Sequence, residues 1–381
     1  MTMLPEILGR LGPADQLMVA GARARLDSAA AERVRALAGA DVDWRRLIAI
    51  ANGSKVLPLV GRNLLATAGS ALPPEVAQAL RTAVVMVTQQ NLLLTGELLR
   101  VLRLLDEHSI PAFPFKGPAL AAQVYGDLSL RQFGDLDVWI RPEDFLRARE
   151  LVMASGYVPY LPPPDDILPV YTGTHHEYGF MRDDDAVHLE LLWRVVERPF
   201  AFPRKLDEFW QRLVPISLLG RKVLSLAPEP LLICLCVHGS KHLWSRLSWV
   251  CDVAEAVRVS EGLDWQRLLA TAEEHGAGRM VRLGLYLAGK MLEAPVPATV
   301  LRRAAADREV QWLAGMVGEL IFEHGHMPDE VFNTLHLYHM RMLNRLGDRM
   351  QVVRRYAYSV LNPLHVYRKY GIGPLKHLIG R

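Results

Sequence analysis

The chain has 381 residues, half of them hydrophobic and 22% charged, with a net charge of +3. That is ordinary for a globular protein long enough for two or three domains, and too weakly charged to argue for nucleic acid by itself. No run approaches the roughly 18 apolar residues a membrane helix needs, the N-terminus lacks a basic-then-apolar secretion signal, and Cys234, Cys236 and Cys251 stand in apolar surroundings without metal spacing, as reduced core residues of a cytoplasmic protein do.

Residues 1 to 108 read as helices. The alanine-rich stretch Ala20–Ala38, Trp44–Ala51 after an aspartate cap, Val56–Thr67 and Pro74–His108 all place apolar residues at helical spacing. The last is the longest, and its broad apolar face predicts packing on both sides before the chain enters its first strand. Arg81, Gln89 and Asn91 on it read as ordinary polar groups and take no role.

The apolar run Ile110–Phe115 reads as a buried strand ending at Lys116-Gly117-Pro118, with Ala119–Tyr125 as a helix. Pro118 suits the first helical position and Gly117 lets a backbone come close to a ligand. A helix start beside Lys116 favours phosphate, and Arg131 adds a planar cation that can grip a triphosphate. Next comes Asp135-Leu-Asp137-Val. Period two projects both aspartates from one face of an extended segment while Leu136 and Val138 enter the core. Glu190, in His188-Leu-Glu190-Leu, supplies a third carboxylate from a neighbouring strand. Carboxylates clustered so closely repel unless a cation sits between them, and Mg²⁺, which takes oxygen ligands, is the natural guest.

Residues 141–156 read as a helix opened by Pro142 and stopped by Gly156. Tyr157–Val170, with prolines at 159, 162, 163, 164 and 169, reads as a loop able to shape an acceptor pocket. His175–Arg182 and Ala186–Val195 read as an antiparallel hairpin whose turn, Asp183-Asp184-Asp185, is solvated rather than metal-binding. One of His175 and His176 shares the Glu190 face, either to meet substrate or as a hydrogen-bonded strand histidine. His188 either orients Glu190 or flanks it.

From about Pro203 the pattern is helical, over Leu206–Val214, Glu229–Trp244, Trp249–Ser260, Trp265–His275, Gly278–Leu292 and Thr299–His324. His238 and His242 share a helix face as in zinc proteases, but Gly239 stands where that chemistry needs glutamate. Lys241 and His242 read instead as groups facing the nucleotide or acceptor, with Asp252 in a structural ion pair with one of them or with Arg246. The tail from Arg341 to Arg381 carries nine basic residues against Asp348 alone, a net +8 that leaves −5 for the rest of the chain. Interleaved with tyrosines, it suits an anionic membrane surface, a polyphosphate-bearing acceptor or RNA, or packing back on the body.

The order of turn, acidic pair and distant third carboxylate resembles the nucleotidyltransferase superfamily that includes DNA polymerase β and the aminoglycoside nucleotidyltransferases. KGPALAAQVYGDLSLRQFGDLDVWI, HLELLW and HGSKHLWSRLSWVCDVAEAV are similar to a bacterial group described only as nucleotidyltransferase family proteins, over about Asp43 to Asn362. Where the superfamily usually has Gly-Gly or Gly-Ser in the turn, this chain has Lys116-Gly117. The resemblance implies an α+β fold: a small mixed sheet forming the catalytic core at 109–200, an N-terminal helical region at 1–108, a C-terminal helical domain at 201–340 and a basic tail at 341–381. It also implies transfer of a nucleoside monophosphate from an NTP such as ATP to an acceptor, with release of pyrophosphate, through two Mg²⁺ ions about 3.5–4 Å apart. Asp135 and Asp137 would hold both ions and Glu190 the one beside the acceptor, with Lys116, Gly117, Arg131, Lys241 and His242 around the nucleotide. A degenerate relative used for binding, and an adaptor acting through its tail, are the rival classes.

Overall fold

Five short strands in the middle of the chain form a mixed sheet with helices on both faces. A computed structural model describes residues 2–160, 168, 171–182, 187–196, 202, 205–324, 331–343, 347, 349–350 and 353–354. Strands β1 (Ala112–Pro114), β2 (Asp135–Ile140), β3 (Val158–Pro159), β4 (Glu177–Arg182) and β5 (Val187–Leu192) lie in the order β1-β2-β5-β4-β3. Only β2 and β5 run parallel; the other neighbours are antiparallel. The fold is α+β.

Alternation along β2 decides which core each residue enters. Leu136, Val138 and Ile140 meet Leu189 and Leu191 of β5, Tyr178 and Phe180 of β4, and Leu94, Leu98 and Val101 of the helix Pro74–Glu107. Trp139, on the opposite face, packs beside Phe113 and Phe115 in a larger core that also takes residues from the N-terminal and C-terminal helices. Burying one such side chain stabilises by roughly 1.5–3 kcal/mol. A carboxylate at 137, in the same row as Trp139, gives up that gain.

The long helix serves the two cores in succession. Val76, Ala77 and Leu80 enter the larger one and Leu94, Leu98, Val101 and Leu105 the smaller. Val85, Met86, Leu92 and Leu93 between them are exposed, so the expected packing on both sides is instead a handover.

Aspartate caps set several boundaries. The Ala20–Ala38 stretch is broken because Asp27 accepts the Ala30 N–H and starts a new helix at Ser28. Asp307 likewise splits Thr299–His324 by accepting from Glu309 and Val310. Asp43 caps Trp44–Gly53 as expected, and such a cap contributes about 1 kcal/mol.

Leu206–Val214 is not a helix throughout: Leu206–Trp210 is helical, and a hairpin of β6 (Leu213–Leu218) and β7 (Arg221–Leu226) follows. Its two-residue turn is Leu219-Gly220, both at positive φ. Leucine there hides the turn, since Asn or Asp is the usual marker, and Pro215 argues against a strand.

Pro159 lies in the edge strand β3, whereas prolines 162, 163, 164 and 169 and Asp183-Asp184-Asp185 fall outside the described residues. Most of the basic tail does too. At its start, Arg341 lies over the Trp312 ring at 4.3 Å and 3.3 Å from Glu309. Among the described residues no helix is long and apolar enough to cross a membrane.

Candidate functional site

The parallel pairing of β2 with β5 brings the acidic residues of the two motifs together. Asp137 lies directly opposite Glu190, and Asp135 opposite His188. Paired residues project to the same side of a sheet, so the three carboxylates share the Trp139 face. Asp135 and Glu190 are partly exposed, whereas Asp137 is only 2% exposed.

Lys116 reaches this row from the turn after β1. The Phe115 N–H donates to the Asp137 carbonyl at 3.0 Å, extending the β1 pairing by one residue. Gly117 then takes φ +52, and a Cβ there would stand 3.4 Å from the Asp135 carbonyl oxygen. An L side chain would be strained in that conformation, so glycine lets the turn close against β2. Lys116 is thereby buried, with Nζ 3.1 Å from Asp137 Oδ1. Lys116 is thus the charged partner of Asp137, and among the described residues no other group donates to either Asp137 oxygen.

Charge balance in the row is incomplete. Burial pushes Asp137 up, to about 6, against the pull of Lys116. Burial, Glu177 and Asp137 hold Glu190 well above the ordinary range. Burial would depress Lys116, but Asp137, Asp135 and Glu190 together raise it. One lysine thus serves three carboxylates, two of which are shifted toward their protonated forms. A divalent cation would shift both back. Among the described residues no three His, Cys, Asp or Glu side chains are arranged to cage a metal ion as they stand. Asp135, Asp137 and Glu190 nonetheless offer an all-oxygen donor set, and the buried Asp137 oxygens, with Lys116 alone beside them among the described residues, are what such an ion would satisfy.

A second polar group adjoins this one. Glu177 opens β4 on the Glu190 face, and His176 Nε2 lies 2.9 Å from its Oε2 and 2.8 Å from Lys241 Nζ. A single ring nitrogen donates to the carboxylate or accepts from the lysine, not both at once. Burial would raise Glu177, but His176, Lys241 and Lys116 lower it to about 2. Lys241 and His242 end the helix Pro228–Lys241. Burial, then Lys241 and Lys116, holds His242 well below the ordinary histidine range; burial and Lys116 do the same to His238. The His242 ring stacks on Trp249 at 5.1 Å and sits 4.7 Å from His238.

Arg131 is placed differently from the expectation. Its Nε and Nη2 donate to the two oxygens of Asp252 at 2.8 and 2.9 Å, and Tyr125 Oη donates to Asp252 Oδ1 at 2.7 Å. The fork assigned to a triphosphate is therefore engaged by a carboxylate, and Asp252 pairs with Arg131 rather than with Lys241, His242 or Arg246. Asn91, given no role from sequence, donates to the Leu128 and Arg131 carbonyls and fixes this segment on the long helix.

Of the two histidines, His176 joins the polar group while His175 stacks on Tyr171 at 3.9 Å. Glu177 was missed in the sequence reading. The signal for it is the hairpin register, which sets Gly179 opposite Glu190 and so puts Glu177 on the Glu190 face.

A family model described as uncharacterised nucleotidyltransferase matches residues 40–293. The chain is also similar to a solved structure, the crystal structure of an antigenic nucleotidyltransferase-like protein from Paracoccidioides brasiliensis. The two are 15% identical, with a TM-score of 0.31, over 56% of this chain and 96% of that one. No curated protein matches the chain.

Proposed function

The chain belongs to that uncharacterised nucleotidyltransferase family, and from this premise we propose that it moves a nucleoside monophosphate from an NTP to an acceptor hydroxyl or other nucleophile. The observation that supports the reading is the row Asp137–Glu190 with Asp135 beside it, where a buried carboxylate has for its partner one lysine that two other carboxylates share. A stability role explains such a group poorly, because burying carboxylates in excess of their cations costs stability.

Asp135, Asp137 and Glu190 would hold Mg²⁺, which when bound polarises phosphoryl oxygens and offsets their charge. In the transfer the bond between the α-phosphorus and its bridging oxygen breaks, pyrophosphate leaves, and a new bond forms from the α-phosphorus to the acceptor oxygen. Glu190, opposite Asp137 on the neighbouring strand and partly exposed, is the carboxylate placed to take the acceptor proton. Lys116 and Lys241 carry the cationic charge that faces the phosphates. His242, kept neutral, contributes ring nitrogens rather than charge. Arg131 acts through position, anchoring the segment before β2 against Asp252.

A second reading, a degenerate relative that binds nucleotide without transferring it, is favoured by the direct Lys116–Asp137 contact, since a lysine there competes with a cation for the same carboxylate. Calorimetry with each of the four NTPs in Mg²⁺, followed by mass spectrometry of small-molecule and protein acceptors, tests both. Binding with a nucleoside monophosphate added to an acceptor is expected. Binding without transfer favours the second reading, and no NTP binding contradicts both.

A further inference from the structure

The row that carries the carboxylates continues past them to an aromatic ring. β3 pairs with β4 at Val158–Met181 and Pro159–Phe180, and Tyr160 N donates to the Gly179 carbonyl at 3.1 Å, so the register runs on to Tyr160 opposite Gly179. Gly179 faces Glu190, which faces Asp137. Tyr160, Gly179, Glu190 and Asp137 therefore form one row across four strands. Tyr160 stands two strand spacings, about 10 Å, from Glu190.

Glycine in this row is what seats the ring. A Cβ at 179 would lie 2.7 Å from Tyr160 Cδ1 and 2.9 Å from Cε1. The tyrosine thus occupies the space a side chain at 179 would take, on the carboxylate face. Neither is it buried there: Tyr160 is 48% exposed, and Val158, in the adjacent row with Met181, is 56% exposed. An apolar shelf with one open aromatic ring lies next to a polar, phosphate-compatible row.

We propose that Tyr160 is the platform on which the nucleobase of the NTP stacks, with Val158 and Met181 beneath its edge. The proposal rests on the nucleotide-binding reading above and adds to it the position of the base: phosphates over the carboxylates and Lys116, ribose between Glu190 and the ring that covers Gly179, base against the outer face of that ring. Every base has a π-face, so a single stacking ring holds all four with little discrimination. That separates this contact from hydrogen-bond readout of one base.

The test compares binding of each NTP with binding of inorganic tripolyphosphate, both in Mg²⁺, to the wild type, Tyr160→Ala, Tyr160→Phe and Gly179→Ala. Removing the ring is expected to weaken every NTP about tenfold, the scale of one base–aromatic stack, and to leave tripolyphosphate unchanged. Tyr160→Phe keeps wild-type affinity, because the ring and not the hydroxyl makes the contact. Gly179→Ala displaces the ring without deleting it and weakens NTP in the same way. NTP affinity untouched by Tyr160→Ala overturns the platform alone, as does an equal loss for tripolyphosphate. A wild type that binds tripolyphosphate but no NTP also overturns it, and one that binds neither overturns the proposed function together with it.

Discussion

The segment from Tyr125 to Asp137 contributes to two buried charge clusters that are built on opposite terms. Around Asp252, which is 1% exposed, both carboxylate oxygens accept hydrogen bonds from Arg131 and one also accepts from Tyr125. Around Asp137, at similar burial, Lys116 at 3.1 Å is the one partner among the described residues, and two further carboxylates crowd the same lysine. A saturated buried pair holds a structure in one geometry. An unsaturated one keeps ligand capacity at the expense of stability. The contrast supports the proposal that Arg131 serves the scaffold and Asp137 the site, although the sequence presents both as functional charges.

Asp252→Ala is the largest way to press that contrast. It leaves the Arg131 guanidinium buried and unpaired, and should cost about 3–5 kcal/mol in urea unfolding. A loss under about 1 kcal/mol would place Arg131 among groups that tolerate substitution, as surface charges do.

Lys116→Met acts on the other cluster. Without the lysine the carboxylates hold their protons more tightly, at about 1.4 kcal/mol for each unit by which a pKa rises. Thermal stability at pH 7 should fall, and Mg²⁺ should restore more of it than it adds to the wild type. Equal Mg²⁺ effects on the two proteins would remove the carboxylates from the list of metal ligands.

A third cluster extends the comparison to pH. Glu97 on the long helix accepts from Tyr157, Arg100 and Arg182; burial would raise it, but these contacts leave it below the ordinary 4.5. A carboxylate lowered in the folded state stabilises fully above its unfolded value and loses that contribution as pH falls through the folded one. Stability should therefore drop below about pH 4.5, and Glu97→Gln should flatten that acid limb. The effect is roughly 1 kcal/mol, the net worth of a typical intramolecular hydrogen bond. An unchanged acid limb would mean that Glu97 is not held in its ionised form.

How far these clusters could be read from the sequence follows from how local each one is. Asp135 and Asp137 are legible because period two is a property of five adjacent residues, and the Asp43 cap because it lies beside its helix. The Arg131–Asp252 pair joins residues 121 apart, and nothing local marks either as the other's partner, so the cation was read as a phosphate grip. Glu190 was found through its motif, but its place opposite Asp137 depends on the parallel β2–β5 pairing, a non-local contact with no signal of its own. The β6–β7 hairpin was lost to Leu219, which takes a backbone conformation usually reserved for Gly, Asn or Asp. Tyr160 was hidden by its prolines, which read as a loop although the first of them lies in an edge strand.

Asp137→Asn gives the most direct measurement, because it separates the two meanings of burial in one protein. The substitution keeps the shape, removes one repelling carboxylate and leaves Lys116 with Asp135 and Glu190 nearby, so stability should stay within about 1 kcal/mol of wild type. Calorimetric titration with NTP in Mg²⁺ should then show binding to the wild type and its loss in the folded variant. Equal affinity in the two proteins would contradict the assignment of this carboxylate row as the nucleotide site.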